Sequence, residues 1–276
     1  MNVGWGMDWD QAYSNVDHVA NSADYPPKWQ AVSHEFRSGM AASERLYGDI
    51  SYGPNARNVL DLFLPEAQPR GLVVFVHGGY WLRLDKSFSS FLAAGPLAHG
   101  FAVAVPSYVL CPEARVAEIT VQTGAAIARA AGMVAGPIHL AGHSVGGHLV
   151  ARMASSTSPL PPQIRSRLRK ILPISCLSDL RPLLRTAMNE RLRLDLSEAR
   201  AESPALLEPL DDMDITAWVG AAELPEFIRQ NALLANAWHG FDCMIDSMEE
   251  PGKNHFTVLE GLAEPDHPLT RRLLCI

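Results

Sequence analysis

Cysteine is scarce in this chain. Its four cysteines, Cys111, Cys176, Cys243 and Cys275, lie far apart and form neither a C-x-x-C pair nor metal-ligand spacing. That pattern argues against a disulfide scaffold or a zinc site and predicts free thiols in a reducing compartment. No apolar run approaches 18 residues, so no membrane-spanning helix is expected. The amino terminus carries Asp8, Asp10 and Asp17 where a secretory signal needs a basic start and an apolar stretch. A cytoplasmic protein, not bound to a membrane, is the expectation. Basic charge is also in short supply, with 23 Lys and Arg against 30 Asp and Glu and a net charge of −7. The one short basic block, 165–170, suits a solvated helix end, so nucleic acid is not an expected partner. None of the ten histidines falls in H-x-H or H-E-x-x-H spacing, so neither a metal nor a cofactor is expected. Internal repeats and low-complexity segments are lacking too.

What is present is apolar residue in quantity. At 47% hydrophobic over 276 residues, the chain can bury one large core. We expect a single domain over 1–276, with an aromatic-rich amino-terminal arm and helix at 1–46 (Trp5, Trp9, Tyr13, Tyr25, Trp29). The arm packs either at the mouth of the site or on the body away from it. Segment 58–64 alternates apolar and polar residues, whereas 71–76 is a continuous apolar run, as in a strand buried on both faces. Further strands are expected at 101–105, 137–141, 170–175, 214–220 and 241–245, and helices at 87–98, 112–131, 145–155 and 225–238. Strands alternating with helices specify an α/β domain with a mostly parallel central sheet and helices on both faces. Within 177–210 a charged helical stretch, 180–200, interrupts the alternation. It is expected to be a small cap over the carboxyl ends of the strands, where open α/β sheets bind ligands, or else a crossing helix with a long loop.

Two glycine-rich segments follow buried strands. Gly142-His143-Ser144-Val145-Gly146 has the G-x-S-x-G spacing of a nucleophile elbow, with a strand before it and a helix after it. Ser144 is the candidate nucleophile. A serine hydroxyl needs a base, and in elbow enzymes the partners follow in the order serine, acid, histidine. Downstream histidines are His239, His255 and His267. His255, in the loop after the last predicted strand, is best placed; His239 ends a helix and His267 suits a surface turn. For the acid, Glu223 follows the strand at 214–220, with Asp179 as the alternative and Glu226 as a helix-start charge. His77-Gly78-Gly79-Tyr80-Trp81 follows the strand at 71–76. Backbone N–H groups of Gly79 or Tyr80 and of Val145 would converge on an oxyanion. His77 is expected to organise its loop; His143 and His148 are expected to pack, His143 with access to the pocket wall.

These pieces, with Val219-Gly220-Ala221-Ala222-Glu223-Leu224-Pro225-Glu226-Phe227 and Asn254-His255-Phe256, resemble the kynurenine formamidase branch of the α/β-hydrolase fold, near the hormone-sensitive-lipase-like esterases. The resemblance covers nearly the whole chain in family order. It implies oxyanion donors on Gly78, Gly79 and Tyr80, and an aromatic pocket bordered by Trp81, with Tyr80 and Tyr108 as further ring-stacking candidates. It implies cleavage of an aryl formamide such as N-formylkynurenine to formate and an amine. Relatives often carry Asp at the acid position; Glu223 is longer yet still reaches an imidazole. A carboxylesterase of small acyl or aryl esters, or a hydrolase of another small amide, uses the same parts. A non-catalytic small-molecule binder is a further reading, set against the retention of all three triad residue types. The expected partner is a small-molecule substrate, and a homodimer is possible.

Overall fold

The computed structural model describes residues 6–276, so Trp5 lies outside the described residues. One eight-stranded sheet runs through the molecule in the order β1-β2-β4-β3-β5-β6-β7-β8. Its strands are β1 (Leu46–Ser51), β2 (Val59–Phe63), β3 (Leu72–Val76), β4 (Ala102–Pro106), β5 (Ile138–His143), β6 (Leu168–Ile174), β7 (Asp214–Gly220) and β8 (Met244–Glu250). β1 and β2 enter antiparallel; every pairing from β4 to β8 is parallel.

A parallel sheet must be covered on both faces, and the alternation of side chains along β3 shows how. Leu72, Val74 and Val76 enter one core, shared with helices α2 (Val116–Ala131), α3 (Val145–Met153) and α4 (Pro225–Trp238). Val73 and Phe75 enter the other, shared with α1 (Tyr25–Ala42) and α5 (Pro268–Leu274). Among the described residues no helix is long and apolar enough to cross a membrane.

The boundaries differ from expectation in four places, each for a local reason. The last strand is Met244–Glu250 and not 241–245. It is an edge strand, mostly exposed and carrying Asp246, Glu249 and Glu250, so the apolar signal that marks a buried strand is absent. β1, at the opposite edge, is exposed in the same way and lies outside the strands expected from sequence. The helix expected at 87–98 becomes two 3₁₀ turns and the short helix Ala94–Ala98, with the Ser90 hydroxyl bonded to the Lys86 carbonyl at 3.1 Å. Segment 180–200 is divided into Arg181–Arg185, Asn189–Leu192 and Leu196–Ala201, broken where Arg193 adopts φ +55°. Glu202, which follows this segment as the C-cap of its last helix, ties it to α3: Arg152 Nε donates to Glu202 Oε2 at 3.0 Å, and the Nε2 of His148 to the Glu202 carbonyl at 2.7 Å.

Candidate active site

β5 leads directly into Ser144, which takes φ +57° and ψ −119° before α3 begins at Val145. A non-glycine residue in that region is strained and persists only where its surroundings enforce it. Here they do, because the turn packs backbone on backbone: a Cβ on Gly142 would sit 2.2 Å from the Gly146 carbonyl oxygen, and one on Gly146 2.0 Å from that of Val76. Only glycine fits either position. The Ser144 N–H donates to the Ile174 carbonyl at 2.7 Å, pinning the turn to β6. Val145 is the first residue of α3, so its N–H lacks an intrahelical partner and points where negative charge is favoured.

The loop after β3 faces this turn. Gly79, Tyr80 and Trp81 all have positive φ (106°, 55° and 56°). Its base is fixed by His77, whose Nδ1 N–H donates to the Gly78 carbonyl at 2.8 Å and whose ring stacks on Tyr108 at 4.3 Å. Burial pushes the His77 pKa down to about 4, so the ring is neutral.

At the carboxyl end of β7, Glu223 is held from two sides. Its Oε1 accepts from the Gly220 N–H at 2.9 Å and from the Ser175 hydroxyl at 2.6 Å. Oε2 is thereby left for His255, whose Nδ1 lies 2.6 Å away. The loops carrying the two residues are stitched together by Ala221 N–H to Glu250 O at 2.9 Å and Ala222 N–H to Lys253 O at 3.0 Å. The His255 ring is packed between His143 and Phe227, with centroids at 4.5 and 4.6 Å. His143 donates from Nε2 to the His255 backbone carbonyl at 2.8 Å. Burial holds the His143 pKa well below the usual imidazole range, so it supports the neighbouring loop without adding a positive charge.

Ser144, His143, His255, Gly79 and Tyr80 line one cavity of about 40 Å³, together with Trp29 and Asn15 of the amino-terminal region. That region therefore packs at the mouth of the site. Tyr25 stacks on Phe256 at 4.9 Å, the Tyr80 hydroxyl donates to the Tyr13 carbonyl at 2.6 Å, and His18 Nε2 lies 3.3 Å from the Ala222 carbonyl.

Two aromatic candidates for the pocket wall lie elsewhere. Trp81 is fully buried with its ring edge-on to His148 at 5.1 Å. Tyr108 is buried beneath the glycine loop, its hydroxyl donating to the His77 carbonyl at 3.0 Å. Both belong to the core under the loop, in which Tyr80 and Trp81 have left-handed backbone. Gly78 supports the turn from below, where a Cβ would sit 3.2 Å from the Ser144 Cβ. The alternative acid, Asp179, is engaged by Arg181 at 2.8 Å. Glu226 stands in the first turn of α4, as expected of a helix-start charge, and is buried there, accepting from Tyr13 (2.8 Å), Gln230 (2.9 Å) and Arg229 (2.7 Å). His267 caps α5 and packs over Gly261 instead of occupying an open turn.

Ser175 and Asn15 carry no signal of their own in the sequence, whereas Tyr13 belongs to the aromatic arm expected there. A lone serine at a strand end has no spacing signature, although its position one residue beyond β6 and beside the acid's strand is the signal that would have found it.

The comparisons agree with this geometry. The alpha/beta hydrolase family matches residues 73–274. A kynurenine formamidase from Salmo salar is 30% identical over 82% of this chain and 80% of its own length. The kynurenine formamidase of Drosophila melanogaster is 28% identical over 96% of each chain. Among solved structures, a putative thioesterase from a Silicibacter species superposes with a TM-score of 0.91 at 48% identity, covering 98% of this chain and 100% of that one. The chain belongs to the alpha/beta hydrolase family, among its kynurenine formamidase-like members.

Proposed function

We propose that this chain is a serine hydrolase that cleaves a small aryl formamide of the N-formylkynurenine kind to formate and the free amine. The observation that carries the reading is the 2.6 Å contact of His255 Nδ1 with Glu223, in a cavity shared with the Ser144 elbow. Glu223 holds the imidazole in the tautomer whose Nε2 can accept the Ser144 proton. Ser144 Oγ attacks the formyl carbon, and the oxyanion receives N–H groups of Val145 and of Gly79 or Tyr80. Collapse breaks the C–N bond as His255 hands its proton to the departing nitrogen. Water, deprotonated by His255, then attacks the formyl-enzyme, and Ser144 leaves with the returned proton as formate is released.

Cavity size supports a short acyl group. The cavity at Ser144 measures about 40 Å³ against about 390 Å³ for the one beside it, so a small acyl group suits the serine side and the bulk of the substrate the other. The kynurenine formamidase relatives support the amide leaving group. A second reading, hydrolysis of a short acyl thioester or ester, is favoured by the putative thioesterase at 48% identity.

Steady-state kcat/KM for N-formylkynurenine, p-nitrophenyl acetate and an acetyl thioester, measured side by side, separates the two. A formamide value near or above roughly 10⁴ M⁻¹s⁻¹ that exceeds the other two supports the first reading. Thioester or ester turnover with negligible formamide cleavage would replace it with the second.

A further inference from the structure

A larger cavity of about 390 Å³ abuts the one at Ser144 and shares Asn15, Gly79, Tyr80 and Arg83 with it. Of these four, Arg83 alone is charged. Arg83 is exposed, and among the described residues no hydrogen bond or ion pair engages its guanidinium. Arg191 adds a second cation on the wall of the larger cavity. In a chain of net charge −7, cations at this junction are against the average. The same wall carries two carboxylates, each bonded to a neutral donor and, among the described residues, neither paired with Arg83 or Arg191: Asp10 accepts from the Ala187 N–H at 2.7 Å, and Asp17 accepts from the Ser14 hydroxyl.

Asn15 supplies the second observation. It is 3% exposed, and its Oδ1 has no partner among the described residues. The orientation of its amide follows from its neighbour. The Tyr80 hydroxyl spends its single hydrogen on the Tyr13 carbonyl, so it can only accept from Asn15 Nδ2 at 3.4 Å. Asn15 Oδ1 is then a buried acceptor at the boundary of the two cavities, and an unmet buried acceptor is costly unless a ligand meets it.

Resting on the acyl-transfer reading of Ser144, we propose that the larger cavity holds the departing half of the substrate and selects for a carboxylate on it. Arg83 receives the carboxylate, and Asn15 Oδ1 accepts a hydrogen bond from the N–H of the bond being cleaved. The substrate class is an N-acyl amine whose amine portion is anionic or zwitterionic. Arg83 binds ground state and transition state alike, so its effect falls on KM.

Two substrate pairs differing only in the carboxylate test this: N-formylkynurenine against its decarboxylated analogue, and 4-acetoxybenzoate against phenyl acetate. The ratio of kcat/KM within a pair, compared between wild type and Arg83→Ala, cancels intrinsic reactivity. The ratio is expected to fall about tenfold in Arg83→Ala, through KM, and less in Arg83→Lys, as loss of a charge-assisted contact requires. A control at the other end of β3, Arg70→Ala, whose guanidinium bonds the His99 carbonyl at 3.2 Å, keeps the wild-type ratio. Asn15→Ala should lower formamide turnover relative to ester turnover, since an ester offers no N–H. Equal pair ratios in wild type and Arg83→Ala overturn the proposal. If only the ester pair turns over yet the ratio still depends on Arg83, the formamide reading fails and the carboxylate site stands.

Discussion

At the scale of single residues, the site rests on how Glu223 divides its two oxygens. Oε1 is fully engaged by Gly220 and Ser175, which aims Oε2 at His255. Glu223→Gln puts a donor or a weaker acceptor against Nδ1 and favours the wrong tautomer; kcat should fall by on the order of 10³–10⁴, as for the equivalent change in a serine protease triad. Asp179→Asn should stay within a few-fold of wild type, because Arg181 already claims that carboxylate. An inactive Asp179→Asn beside an active Glu223→Gln would reverse the assignment of the acid. Ser175→Ala removes one of the two contacts that hold Oε1; we expect about a tenfold loss in kcat and a displaced acidic limb in the pH–rate profile, with KM little changed. A loss confined to thermal stability would reduce Ser175 to a packing residue. The placement of Ser144, His255 and Glu223 was legible because the elbow chemistry demands those residue types after particular strands. Trp81 and Tyr108 were misplaced because a large aromatic beside a glycine loop suits a core as well as a pocket wall, and only the fold decides which.

At the scale of elements, the amino-terminal arm is the feature that sequence left open and the fold resolves. Tyr13 is the pivot: its hydroxyl donates to Glu226 at 2.8 Å and accepts from Gln230 at 3.0 Å, while its carbonyl receives Tyr80. Burial pushes its phenol pKa far up, so it remains a donor. Tyr13→Phe removes one of the donors to the buried Glu226 carboxylate, leaving Arg229 and Gln230, and should destabilise the protein by about 1–2 kcal/mol, a Tm decrease of a few degrees, measurable by calorimetry. An unchanged Tm would mean that the arm is not coupled to α4 as drawn. Interior strands were legible because burial on both faces writes an unbroken apolar run, as in β3, whereas β1 and β8 are edge strands whose exposed residues erase it. The segment 180–200 showed helical composition but not its breaks, which depend on a left-handed Arg193.

At the scale of the whole molecule, the α/β alternation sufficed for the fold class, since a parallel sheet with two covered faces is what such a pattern can build. What the pattern could not convey is how burial acts on His77, His139, His143 and His148, each of which has its pKa lowered by desolvation. Their folded pKa values lie below the unfolded 6.5, so the unfolded chain takes up more protons as pH falls through that value. Stability is therefore fully present above about pH 6.5 and is lost below it, until the folded values near pH 4 are passed. His77 and His148 alone should each cost about 2 kcal/mol at pH 5, and a Tm series from pH 7.5 to 5 should decline monotonically. A flat series would contradict neutral burial of these rings. The central claim is that one serine, activated through His255 and Glu223, carries the hydrolysis. The most direct test is to titrate the enzyme with a fluorophosphonate and map the adduct by peptide mass spectrometry while following N-formylkynurenine cleavage. The account predicts a single adduct on Ser144, activity lost in proportion to labelling, and neither labelling nor turnover in Ser144→Ala. Full activity in labelled protein, or cleavage that survives Ser144→Ala, would contradict it.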